Sequence, residues 1–142
     1  MIGVRIISGD GSTAVKVSPN GALVTASAKS SESVFNVLDV ANTAYNFYLP
    51  KPSQQFIVTG IRAKADRDVS NTVDATVVIY TAEDIDSLTV VDSIHQEAMV
   101  RGEAFTLLPL NVLVGAGLWV NAKTTDDDIH MSVMGFYIDE AG

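Results

Sequence analysis

Residues 129 to 139 read IHMSVMGFYID, and their alternation sets the fold class. Ile129, Met131 and Val133 fall on one side of an extended chain, and His130 and Ser132 on the other. A period of two sends successive side chains to opposite faces of a strand, so this is the pattern of a sheet with one face buried. After Gly135 the phase changes, with Phe136 and Ile138 taking the buried positions and Tyr137 and Asp139 the wetter ones. One extra residue reverses the facing of everything after it, so a β-bulge is expected at Gly135.

The same texture runs upstream. Val73, Ala75, Val77 and Ile79 alternate with Asp74, Thr76 and Tyr80, giving one buried and one wetter face. Ile57, Thr59, Ile61 and Ala63 form a second apolar series, opposite Arg62 and Lys64. Short apolar runs separated by Gly, Asn, Asp, Ser and Pro clusters mark an all-β chain. Strands are expected at 34 to 40, 44 to 49, 55 to 64, 73 to 80, 88 to 95, 103 to 108, 117 to 123 and 129 to 139. Strands of that number and spacing match an eight-stranded jelly-roll sandwich. An immunoglobulin-like sandwich is the structural rival, and its Cys and Trp landmarks are missing. No helix is expected, although AEDIDSLTVVDSIHQEAMV (82 to 100) has apolar spacing that could hold a turn or two.

Residues 104 to 122, AFTLLPLNVLVGAGLWVNA, carry no charge. Pro109, Asn111, Gly115 and Gly117 interrupt them, which suits buried strands joined by turns and argues against a membrane span. Nine basic residues against seventeen acidic give a formal charge of -8, which repels a phosphate backbone, so no nucleic-acid partner is expected. There is no cysteine, which removes disulfide frameworks and thiolate metal sites. Met1, Ile2 and Gly3 open the chain without a basic region or apolar core, so no secretory signal is expected either.

The first thirty residues differ from the rest. VRII, TAVKV and ALVTA are short strand candidates, joined by turns at Gly9-Asp10-Gly11 and Ser18-Pro19-Asn20-Gly21 and followed by the linker-like SAKSSES. The chain therefore divides into an N-terminal β-hairpin-rich arm and linker at 1 to 30 and a sandwich domain at 31 to 142. Strands this short bury too little to stand alone, so the arm must complete itself on the sandwich, on another copy or on a larger partner. Its contact candidates are Val4, Arg5, Ile6, Val15, Val17 and Leu23. Tyr45 and Tyr48, in the aromatic cluster with Phe47, are the contact candidates of the sandwich. Trp119, between Leu118 and Val120, suits the core or a subunit interface.

Catalytic chemistry has few actors. His95 and His130 are the only histidines, without metal-binding spacing, and neither a Gly-x-Ser-x-Gly elbow nor a Walker loop is present. No catalytic, metal or cofactor site is expected. Asp126, Asp127 and Asp128 suit a solvated turn better than a calcium loop, and Asp10 is a solitary carboxylate.

VRIISGDGSTAVKVSPNGALVTA, the Ser-rich link and VFNVLDVANTAYNFYLPKPSQQFIVTGIRAKAD together resemble small structural proteins of tailed bacteriophages that decorate or cement the capsid. The resemblance implies a non-enzymatic protein, often trimeric, bound to the outer surface of the shell and sealing junctions between its subunits. The implied partners are the major capsid protein and other copies of the chain in a homotrimer. The implied location is the outer capsid surface of the virion, after synthesis in the host cytoplasm. An alternative is a phage tail or fibre module that recognises a host glycan through the Tyr45 to Tyr48 cluster, and a cellular β-sandwich interaction module is a third reading.

Overall fold

A computed structural model describes residues 31 to 66 and 74 to 140. The arm, with Val4, Arg5, Ile6, Val15, Val17 and Leu23, lies outside the described residues, as do Val73 and Asp10. The described residues form nine strands: β1 (Glu32–Leu38), β2 (Tyr45–Tyr48), β3 (Gln54–Ala65), β4 (Ala75–Ala82), β5 (Asp92–Met99), β6 (Ala104–Leu107), β7 (Val112–Leu113), β8 (Trp119–Thr124) and β9 (Ile129–Asp139). They contain no helix, and therefore none long and apolar enough to cross a membrane.

All pairings are antiparallel and make two sheets. In the first the order is β1-β9-β3-β6, with β7 also pairing β3, and in the second it is β2-β8-β4-β5. Consecutive strands lie in different sheets except at two steps, β4 to β5, which pair with each other, and β6 to β7, which share one neighbour in β3. The inner faces meet in a core of Leu38, Phe56, Val58, Ile61, Val77, Ile79, Val120, Met131 and Val133, all buried. Each such aliphatic side chain contributes about 1.5–3 kcal/mol by leaving water.

The bulge is present but one strand away from its expected place. Val58 pairs with Gly135 and Gly60 with Met134, so Thr59 is the extra residue and β3 carries the irregularity. Accordingly Phe56 and Val58 face the core on one side of Thr59, and Ile61, Ala63 and Ala65 on the other. Ile57 and Thr59, expected in register with Ile61, are on the outer side. β9 keeps its phase to the end: Tyr137 packs against the core and the expected inward turn of Phe136 and Ile138 does not occur. Gly135 is needed for another reason, since a Cβ there would run into the Ile57 carbonyl oxygen and the Phe56 ring.

The bulge also breaks the neighbouring strand. Leu107 pairs with Ile61 and Val112 with Val58, and residues 108 to 111 loop outward between them, where the Leu110 amide donates to the Thr59 carbonyl at 2.8 Å. The strand expected at 103 to 108 is β6, and the two-residue β7 beyond the interruption was not expected.

Candidate functional site

Two surfaces stand out, one over each sheet. The first is the connection from β4 to β5, residues 83 to 91. Residues 88 to 91 were expected to open a strand, but β5 begins at Asp92 and the preceding residues lie against the second sheet. The cause is a row of polar side chains on its outer face. Asn46, Asn121 and Tyr80 are cross-strand neighbours, and the Asn46 amide donates to the Asn121 side-chain oxygen at 3.0 Å. Asn121 in turn donates to the carbonyls of Asp84 at 3.2 Å and Ile85 at 3.1 Å. Tyr80 donates to the Ser87 carbonyl at 2.7 Å, and the Lys123 ammonium to the Leu88 carbonyl at 2.7 Å while lying over the Tyr80 ring.

These bonds answer carbonyls that have no strand partner, and they bury Asn121 and Tyr80 completely. Tyr80 was expected on a wetter face. Covering it disfavours the phenolate, so burial raises its pKa above the ordinary tyrosine value. With its backbone held inward, the connection turns its apolar side chains out: Ile85 and Leu88 are each 41% exposed, and Val90 and Val91 are exposed beside them. Glu83, Asp84 and Asp86 are exposed around Ile85. The result is a knob pinned to the sheet through its backbone, with apolar side chains at 85, 88, 90 and 91 and acidic ones at 83, 84 and 86 exposed together.

The second surface is the outer face of the first sheet. Thr106, Arg62, Ser132 and Phe35 form one row across β6, β3, β9 and β1, and Ala104, Lys64, His130 and Val37 form the next. Between these rows lies an open depression of about 290 Å³. Phe35, 57% exposed, meets His130 edge-on with ring centroids 5.9 Å apart. Asp66 approaches His130, carboxylate oxygen to Nε2, at 3.6 Å. Arg62 and Lys64 are exposed and make no ion pair with another described residue.

The aromatic cluster belongs to neither surface. Tyr48 is 4% exposed, its ring stacked on Phe56 at 3.8 Å and its hydroxyl donating to the Val133 carbonyl at 2.6 Å. That position inside the sandwich removes it from any contact edge. Burial, with the Glu32 charge nearby, raises its pKa beyond the usual range. Tyr45 is half-buried and donates to the Asp39 carboxylate at 2.6 Å, and its pKa is raised by burial and by that bond. Trp119 is also half-buried, at the start of β8.

His95 and His130 stand on different sheets, β5 and β9. His95 Nε2 faces Glu97 Oε2 at 3.8 Å, and neither atom has a hydrogen-bond partner. Among the described residues no group of His, Asp and Glu is arranged to hold a metal ion. Asp126, Asp127 and Asp128 form the turn between β8 and β9, where the Asp127 amide donates to the Asp126 carboxylate at 2.8 Å.

Sequence reasoning missed the knob, because Leu88, Val90 and Val91 have strand-like composition. The available signal was the pair Tyr80 and Asn121, polar groups at outward positions in the middle of their strands.

The sequence matches no protein-family model and no curated protein. A solved structure described by the words "Bacillus endospore appendages form a novel family of disulfide-linked pili" is similar in backbone at a TM-score of 0.45, with 16% identity over 79% of this chain and 88% of that one.

Proposed function

We propose that the protein is a non-enzymatic structural subunit that acts by docking to other proteins. The observation that carries this reading is the knob of residues 83 to 91, where buried Asn121 and Tyr80 are spent on holding Ile85 and Leu88 in water. Fixing a loop in advance lowers the entropy lost on association, so such a surface is suited to a partner. Exposed apolar side chains without one only add a liability to aggregate.

The finer reading is a jelly-roll capsid decoration or cement protein, bound to the outer surface of the major capsid shell and stabilising it as a trimer. A jelly roll has eight strands in two Greek keys. Counting β6 and β7 as one strand interrupted at the Thr59 bulge brings this chain to that number, in two four-stranded sheets. Its resemblance in sequence layout to phage decoration proteins supplies the shell as partner, and the acidic charge favours solubility before attachment. The shell contact is assigned to the N-terminal arm, through Val4, Arg5, Ile6, Val15, Val17 and Leu23. Multivalent attachment of several copies would strengthen a weak single contact. The glycan-binding alternative loses its platform, because Tyr48 is buried and the Tyr45 hydroxyl is engaged by Asp39.

Co-sedimentation with undecorated capsids tests the reading. The full chain should pellet with the shells, and a chain lacking residues 2 to 28 should stay in solution. A full chain that remains in the supernatant removes the capsid assignment, and a truncated chain that pellets equally well removes the role of the arm.

A further inference from the structure

The knob and the depression are complementary in charge and in character. In a chain of net charge -8, most surface repels a second copy. Arg62 and Lys64 are an exception: two positions apart on one face of β3, they point the same way, with His130 beside Lys64 and the Asp66 carboxylate 3.6 Å from His130. Glu83, Asp84 and Asp86, exposed on the knob, are the matching charges, and the exposed Ile85 and Leu88 match the exposed Phe35 ring.

We propose that copies of the protein associate head to tail, the knob of one seating in the Arg62, Lys64 and His130 depression of the next. The knob lies over the outer face of the second sheet and the depression on the outer face of the first, so one copy engages a neighbour on each side without conflict. The two patches differ, so the contact is heterologous, and it propagates until a ring closes or a chain extends. Its acidic and basic halves steer the encounter and set the orientation, while the exposed apolar side chains supply burial. This inference rests on the structural reading above and names the partner of the knob as a second copy of this chain.

Sedimentation velocity of the full chain over a range of concentrations is the test. The wild-type chain should form species larger than a monomer, and these should weaken as salt screens the charges. Leu88→Asp should abolish the knob, and the pair Arg62→Glu with Lys64→Glu should weaken association about 100-fold or more, the scale of setting like charges against each other.

Each variant retains the half that the other lacks, so an equal mixture should give a dimer with one intact contact and nothing larger. Reversing both sides in one chain, by adding Glu83→Lys and Asp86→Lys to Arg62→Glu and Lys64→Glu, should restore assembly using exposed positions alone. A wild-type chain that stays monomeric at low salt overturns the inference, as does either variant assembling like the wild type, which would assign the knob to a different partner. A mixture that stays monomeric overturns it too. Capsid co-sedimentation is read separately: a monomeric chain that still pellets with shells sinks this inference alone, and a self-associating chain that does not pellet sinks only the capsid reading.

Discussion

Asn121, wholly buried in β8, donates its side-chain amide to the carbonyl of Ile85 at 3.1 Å. A strand interior is thereby tied to one of the exposed apolar residues of the knob. The same amide reaches Asp84 at 3.2 Å, and the oxygen of the group accepts from Asn46 at 3.0 Å. In Asn121→Ala the Asp84 carbonyl keeps the Ser87 amide at 3.3 Å and the Asn46 amide keeps the Tyr48 carbonyl at 3.2 Å, so the Ile85 carbonyl is the group that loses its partner, and a covered polar group without a partner costs about 1–3 kcal/mol. The expected result is a lower unfolding midpoint, together with faster hydrogen exchange at the amides of 84 to 91 than in β3 and β9. Equal loss of protection everywhere would mean that Asn121 holds the sandwich and has no special hold on the knob. Because no exposed residue changes, any weakening of self-association in this variant reports lost rigidity.

Tyr48 joins the two sheets through its 2.6 Å bond to the Val133 carbonyl. Tyr48→Phe should cost about 1 kcal/mol at neutral pH, the usual net value of such a bond. Its pKa is raised in the folded protein, chiefly by burial, while an unfolded tyrosine ionises near pH 10. The folded state then holds the proton more tightly than the unfolded state, so the contribution of the hydroxyl is complete below about pH 10 and is lost as pH rises further. Tyr80 and Tyr137, also raised by burial, push stability the same way. Denaturant unfolding at neutral and alkaline pH should therefore show the gap between wild type and Tyr48→Phe closing as pH rises. A gap that widens would place the ionisation elsewhere.

Gly135 has no room for a side chain, because a Cβ would meet the Ile57 carbonyl oxygen and the Phe56 ring. Phe56 is itself stacked on Tyr48 and set edge-on to Tyr137, so it cannot swing aside without disturbing the aromatic cluster. Gly135→Ala should cost about 2–4 kcal/mol, the scale of overpacking combined with a backbone shift. Thermal or urea unfolding measures this directly, and a loss below about 1 kcal/mol would show that β9 and β3 can part at the bulge.

What sequence could and could not reveal follows the range of the interactions. Strand β9 was legible in its bounds and, as far as Gly135, in its facing because alternation is local, and the all-β class followed from it. The break in phase expected at Gly135 does not occur in β9, and the bulge lies in the facing strand, because a bulge belongs to a pair of strands. A single sequence does not say that Thr59, distant along the chain, is the residue that yields. Tyr48 looked like an exposed aromatic because its partner Phe56 lies across a turn and its acceptor Val133 much further away. The knob was hidden for a similar reason: Leu88, Val90 and Val91 have strand propensity, and carbonyl bonds from Tyr80, Asn121 and Lys123 override it. Arg62 and Lys64 were placed correctly on one side of β3, but their meeting with His130 and Phe35 depended on strand order, which periodicity does not encode.

The turn between β8 and β9 allows a prediction with the same sign of linkage, in the acid range. Asp127 has a raised pKa, first because it shares a hydrogen bond with the Asp126 side chain, and also because Asp126 and Asp128 repel its charge. The folded state therefore binds this proton more tightly than the unfolded chain does. Stability from this group grows as pH falls through the raised value toward the ordinary carboxylate value, and above that window the ionised group works against the fold. Asp127→Asn removes the repulsion and keeps an amide that can donate to Asp126 at any pH. The variant should melt slightly higher than wild type at neutral pH, with the difference shrinking in acid as the wild-type carboxyl takes up its proton. Melting curves at neutral and acidic pH decide it: a variant less stable than wild type at neutral pH would show that the Asp127 carboxylate is favoured in the turn and that the repulsion is fully screened.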